Sequence, residues 1–127
     1  MSDLPTDLKY ASSHEWARLE DNNLVRIGIT DFAQQELGDL VFIELPQIGR
    51  QLSAQEQCAV VESVKTASDL FSPVSGKVVE VNTAAVDTPE QVNNDPYGTW
   101  LFSIKADNAA DLDNLLDAAD YQALINQ

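Results

Sequence analysis

The sequence is poor in the residues on which most enzyme chemistry depends. One histidine, His14, and one cysteine, Cys58, stand in 127 residues. Zinc sites of the usual kinds draw several ligands from these two residue types, so they are excluded. A serine or cysteine triad would have to use His14 as its base, and nothing near it in sequence supports one. No Gly-rich phosphate loop, no Gly-x-Gly-x-x-Gly turn and no Gly-x-Ser-x-Gly elbow is present, so nucleotide binding and hydrolase chemistry lack their usual signatures. A lone cysteine cannot staple the chain internally, which suits a reducing cytoplasm. It reads as a small buried hydrophobe on a strand. Long apolar runs are also missing. Leu40-Val41-Phe42-Ile43 is typical, and it is far too short to span a bilayer. Residues 1–7 have neither a basic region nor an apolar stretch, so no signal peptide is expected.

Positive charge is scarce as well. Seven bases face 21 acids, for a net charge of −14. Such a field repels nucleic acid and anionic membranes and can steer basic partner surfaces toward the molecule. The acids are too many for any chosen pair to be informative as a catalytic dyad. The bases are few enough to inspect singly. Lysine occurs only as Lys9, Lys65, Lys77 and Lys105.

What is present is a series of short strand signals. Apolar residues make up 44% of the chain, enough for a globular core, and a chain of this length buries roughly two-thirds of its unfolded surface. The whole of 1–127 is expected to be one domain, with a core over about 8–105 and a helical segment over about 108–125. Strands are expected at His14–Glu20 and Leu24–Ile29, joined by a turn at Asp21-Asn22-Asn23. Thr30 or Asp31 should cap a short helix that ends at Gly38. Asp39–Leu45 is apolar and β-branched and reads as a buried strand. Cys58–Val64, a short run from Leu70, Lys77–Val81 and Trp100–Ile104 complete the strands. Pro89 opens a possible helical turn. Asn108 with Asp111, and Asp117 with Asp120, mark the starts of two short helices. Gly38–Leu45 and Gly76–Val81 echo one another as glycine turns leading into apolar strands. About seven short strands point to a sandwich or barrel.

Lys65 lies between a strand that enters and a strand that leaves, so it should project from a tight connection into solvent. The neighbouring acids Glu62 and Asp69 favour a charged amine, which disfavours direct Schiff-base catalysis. An exposed lysine is instead a good acceptor for a carrier group that performs the chemistry itself. The hairpin is not signed at its tip, because Lys65-Thr66 lacks the Asn or Gly of a two-residue loop. On the residues alone, a solvated loop lysine remains an open reading.

Several segments in order resemble the glycine cleavage H-protein family. They are Leu8-Lys9-Tyr10 with Ser13-His14-Glu15-Trp16, Gly28–Gln34 with Leu37-Gly38-Asp39, Val41–Pro46 with Gly49, Val61–Asp69 with Ser72–Gly76, Asn93–Tyr97 with Trp100-Leu101, and the tail Leu112–Tyr121. The resemblance implies a mainly β, lipoyl-domain-like sandwich (a barrel-sandwich hybrid) with one short helix in the N-terminal half and helices at the C-terminus. It implies lipoate in amide linkage to Lys65. It implies a non-catalytic carrier that takes an aminomethyl group from glycine decarboxylase (P-protein), delivers it to the aminomethyltransferase (T-protein), and is reoxidised by dihydrolipoamide dehydrogenase (L-protein). A monomer suits that shuttle. Ser13, Glu15 and Asp69 match the family's cleft residues for the loaded amine. Glu62 and Gly76 match positions used by the lipoate ligase or lipoyl/octanoyl transferase. Gly76 has an equally good reading as a turn residue. An H-like protein that relays lipoate to other enzymes is the alternative. The chain departs from the pattern in a shorter loop at Pro96–Trp100 and in Lys77 after Gly76.

Overall fold

The computed structural model describes residues 5–126. Nine strands form two antiparallel sheets. The larger sheet takes β1 (Lys9–Tyr10), β2 (Glu15–Leu19), β3 (Leu24–Ile29), β9 (Phe102–Ala106), β8 (Gly76–Val81) and β5 (Gln51–Leu52), in that spatial order. The smaller one takes β4 (Leu40–Glu44), β6 (Gln57–Ser63) and β7 (Ala67–Phe71). One apolar cluster fills the space between them. Val25, Ile27, Phe102, Ile104 and Val78 face it from the larger sheet, and Ile43, Ala59, Val61 and Leu70 from the smaller. No strand pairing joins the two sheets among the described residues, so the molecule is a sandwich and not a closed barrel.

Local chemistry accounts for most elements. The β2–β3 hairpin turns through Asn22 and Asn23, both at positive φ, a conformation asparagine tolerates. Thr30 caps α1 (Asp31–Leu37) by accepting the Ala33 amide at 3.2 Å. Gly38 ends the helix at φ +84°, where a side chain would be strained. The two echoing segments separate: Gly38 leads into β4 of the small sheet, and Gly76 opens β8 of the large one. Between β8 and β9 lie two short helices, α2 (Thr83–Asp87) and α3 (Glu90–Asn94). Asn93 ties that segment to the helix-turn, donating to Gly38 O at 2.8 Å and accepting from Leu40 N at 2.9 Å. The shorter loop is held as well, since Trp16 Nε1 donates to Pro96 O at 3.0 Å.

The tail forms a 3-10 turn at Ala109–Asn114 and α4 (Ala118–Ile125), capped by Asn108 and Asp117 as their spacing predicts. A second apolar cluster of Leu8, Tyr10, Trp16 and Tyr121 fastens α4 to the large sheet. Cys58 is buried at 5% exposure, and burial pushes its thiol up to about 12. No helix of the described residues is long and apolar enough to cross a membrane.

Three expectations need correction. Asp39–Leu45 is not a buried strand throughout: Val41 and Phe42 are 56% and 47% exposed. A bulge between Leu40 and Phe42 breaks the alternation, and β4 has only one neighbour in its sheet. The last strand begins at Phe102, and Trp100 stays outside it. The expected seven or so strands become nine, because the two-residue strands β1 and β5 carry no periodic signal, and neither does the helix α2.

Candidate functional site

β6 and β7 form a hairpin whose tip is Val64-Lys65. Ser63 N donates to Thr66 O at 2.7 Å and closes the loop. Neither tip residue takes a positive φ, so the Asn-Gly geometry is not used. Ser63 replaces it. Its Oγ accepts the amides of both Lys65 and Thr66 at 3.1 Å. Serine hydroxyls build such turns by mimicking a backbone carbonyl. That was the missed signal for the hairpin: a serine before the tip, not a glycine in it. A further bond, Val64 N to Asp39 O at 3.0 Å, clamps the tip to the start of β4.

Lys65 is exposed and takes part in no ion pair among the described residues. Its stem does not stand straight out. A Cβ built on Gly38 would sit 3.2 Å from Lys65 Cε, so the lysine lies across the bare backbone that ends α1. The glycine therefore serves two needs at once, a positive φ and a floor for the lysine stem. Lys77 is exposed too, but it sits within β8 opposite Gln51 and Lys105, not on a turn.

Beyond Gly38 opens a cavity of about 200 Å³, lined by Ser13, His14, Ile29, Phe32, Ala33, Glu36, Leu37, Ser68 and Leu70. Its walls are mostly apolar, with a few polar groups at one end. Ser13 also borders a second cavity of about 390 Å³ on the other side, between β1, the end of β7 and the tail.

The structure brings Ser13 and Glu15 together. The Glu15 carboxyl is fully buried and takes hydrogen bonds from Ser13 Oγ and, at 3.1 Å, from Phe71 N. Burial raises its pKa, and the two hydrogen bonds only partly oppose that. Asp69 is exposed on β7, between Ser68 and Leu70 that line the small cavity. Alternation along the strand turns its side chain to the outer face, so it does not join Ser13 and Glu15 here. Glu62 is exposed on β6, opposite Phe42 and Ala67. Gly76 is buried where β8 meets β9, and a Cβ there would come within 2.3 Å of Lys105 O. Its reason is close packing.

His14 was not singled out from the sequence as a site residue. It holds φ +80°, its Nδ1 is 2.8 Å from Tyr121 Oη, and its ring lies 4.9 Å from that of Phe32. Burial lowers its pKa, with Glu36 opposing.

The fold and this site define a lipoyl-domain-like β-sandwich with added helices, presenting a lysine at a hairpin tip beside a small cleft. A family profile, glycine cleavage H-protein, matches residues 8–127, and the chain belongs to that family. It is 57% identical to glycine cleavage system H protein 2 of Pseudomonas aeruginosa, over 99% of this chain and 98% of that one. It is 55% identical to the glycine cleavage system H protein of Aeromonas salmonicida, over 100% of this chain and 99% of that one. The crystal structure of a glycine cleavage system H protein from Mycobacterium marinum superposes with a TM-score of 0.90 at 44% identity, covering 98% of this chain and 100% of that one.

Proposed function

We propose that the protein is the lipoyl carrier of the glycine cleavage system, with lipoate in amide linkage to Lys65 Nζ. The observation that carries this reading is the placement of Lys65: exposed, free of ion pairs among the described residues, and held on a tip whose backbone is pinned by Ser63 and Asp39. A rigid platform under a flexible side chain presents the amine to a modifying enzyme at little ordering cost. The residues present fit the group, because the cavity past Gly38 offers an apolar trench of suitable size for a long aliphatic arm.

When bound, lipoate supplies the disulfide and dithiol chemistry by which an aminomethyl group passes from glycine decarboxylase to the aminomethyltransferase, with dihydrolipoamide dehydrogenase restoring the disulfide. The chain's own residues hold, orient and exclude water. Ile29, Phe32, Leu37 and Leu70 keep the trench dry. Ser13 lines it and hydrogen-bonds the buried Glu15, and the Glu36 carboxylate lines it as well, so a hydroxyl and a carboxylate can receive a cationic amine. Asp69, on the edge strand β7, is a second exposed carboxylate and reaches the cleft only by swinging around that edge. Glu62 is open to the lipoate ligase or lipoyl/octanoyl transferase. Gly76 is buried, so any part it plays acts through the position of β8 and not by contact. In this reading the chemistry resides on lipoate, and the chain acts as its carrier. The net charge of −14 steers partners with basic docking surfaces.

Incubation with lipoate, ATP and a lipoate ligase, followed by intact and peptide mass spectrometry, tests the reading. One lipoyl increment on the peptide holding Lys65 is expected. An increment on Lys9, Lys77 or Lys105, or none, would refute it.

A further inference from the structure

His14 pairs two features that call for explanation. It is a non-glycine residue at φ +80°, a conformation that is strained and survives only where surrounding structure enforces it. The enforcement is visible: His14 N donates to Ala11 O at 2.9 Å, and Thr30 N donates to His14 O at 3.1 Å. The strain places the imidazole against the small cavity rather than in the core. Histidine, with asparagine and aspartate, is among the few side-chain-bearing residues that enter this region with any frequency.

The hydrogen-bond accounting then fixes the ring's proton. Thr30 is fully buried, and its Oγ1 already accepts the Ala33 amide. Its single hydroxyl hydrogen needs an acceptor, and Tyr121 Oη lies 2.7 Å away. Tyr121 thus accepts from Thr30 and has its own hydrogen to place. The remaining partner is His14 Nδ1 at 2.8 Å. A nitrogen that accepts is unprotonated, so in the neutral imidazole the hydrogen sits on Nε2. The reverse arrangement would leave the buried Thr30 hydroxyl without an acceptor, and a double acceptor at Tyr121 would leave its own buried hydrogen without one. Burial keeps the imidazole neutral and the Tyr121 phenol, pushed up to about 12, protonated. Nε2 has no hydrogen bond of its own among the described residues.

We infer that the Thr30–Tyr121–His14 relay makes His14 a positioning residue that offers its Nε2–H into the cavity to a sulfur of the arm on Lys65. The inference rests on the carrier reading and deepens it. The polar lining of the cavity then holds complementary groups: acceptors in Glu36 and Ser13, suited to a cationic amine, and a neutral donor in His14. An N–H does not attract a cation, so its partner is the adjoining acceptor. The apolar residues around it, Ile29, Phe32, Leu37 and Leu70, suit the weakly polar sulfur.

The test is long-range proton–nitrogen correlation NMR of the His14 ring in nitrogen-labelled protein. The octanoylated form has the same amide but no sulfur, so it is compared with the lipoylated form reduced to the dithiol. The unmodified protein should show the Nε2–H tautomer. Tyr121→Phe, which preserves the ring stacked on Tyr10 at 4.8 Å, should shift the ring toward a tautomer mixture. The Nε2 signal should move on lipoylation and stay put on octanoylation. An Nδ1–H tautomer in the unmodified wild-type protein would overturn the inference whether or not the variant folds. So would equal movement in both acylated forms, or no movement in either. Failure of the carrier reading is separately visible, as absence of the lipoyl increment on Lys65 by mass spectrometry.

Discussion

Glu15 accepts the backbone amide of Phe71 at 3.1 Å, and that one bond links the large sheet to the free edge of the small one. β7 is the edge strand of its sheet, so its outward amides have no strand partner, and a buried carboxylate takes this one. The same carboxylate accepts from Ser13. One side chain thus braces the sandwich and holds Ser13, which borders both cavities.

The brace makes stability depend on pH. Burial raises the Glu15 pKa above its ordinary 4.5, so the folded protein binds this proton more tightly than the unfolded chain. The stability it contributes is full below about that value and is lost as pH rises through the folded pKa. Glu15→Gln keeps the bond from Phe71 N on its one oxygen and can donate its amide to Ser13 Oγ, reversing that bond, and it should abolish this decline. His14 is shifted in the opposite sense and is retained in the variant, so the difference isolates Glu15. Glu15→Ala should cost roughly 1–3 kcal/mol by stranding Phe71 N and Ser13 Oγ. Urea titrations at mildly acidic and mildly alkaline pH measure both. An identical pH slope in wild type and Glu15→Gln would contradict the assignment.

Lys65→Arg should leave the fold untouched, since the side chain is exposed and unpaired among the described residues. A stability change within about 0.5 kcal/mol is expected. Lipoylation and reconstituted glycine cleavage should both disappear. Retained activity with the three partner proteins would sink the carrier role.

Ser63→Ala removes the hydroxyl that collects the Lys65 and Thr66 amides. The expected loss is about 1 kcal/mol, because the amides are exposed and water replaces much of what the hydroxyl gives. The larger effect should fall on presentation of the lysine. The initial rate of lipoylation should drop several-fold while the final extent stays complete. An unchanged rate would mean that the ligase does not read the ordered tip.

Gly76→Ala should destabilise by about 1–3 kcal/mol or more, because the added methyl collides with Lys105 O and the Ala106 backbone. Those two obstacles are backbone atoms that cannot swing aside, and the buried Ile104 Cγ2, 2.5 Å from the same point, adds a third. Any fall in lipoylation should then follow the fall in melting temperature. A full loss of modification in a variant that melts like wild type would instead establish a direct recognition role.

Much of the fold is legible because its signals are local. The Asn pair of the first hairpin, the Thr30 cap, Gly38, and the Asn108 and Asp117 caps each act within a few residues, where physical preference and sequence spacing coincide. The bulge in β4 and the strands β1 and β5 are not local. They exist because particular neighbours lie beside them, such as Ala17 and Trp16 for Lys9 and Tyr10.

The candidate site divides in the same way. Lys65 stands out in the sequence because lysines are few and its surroundings resemble a modification segment. Family resemblance also brings in Ser13 and Glu15. That Glu15 is buried and reaches Phe71, 56 residues away, no pattern along the chain could reveal. Nor could it show that His14 meets Tyr121 across 107 residues, or that Asp69 points away from its expected companions. By itself, then, the sequence determined the class of strands and turns and the family, and singled out Lys65, since each depends on residues close together in the chain. Only the tertiary structure decided which polar groups come together and in which direction burial biases their protonation. Desolvation and hydrogen-bond geometry are set by whatever packs around a group, and that packing comes from distant parts of the chain.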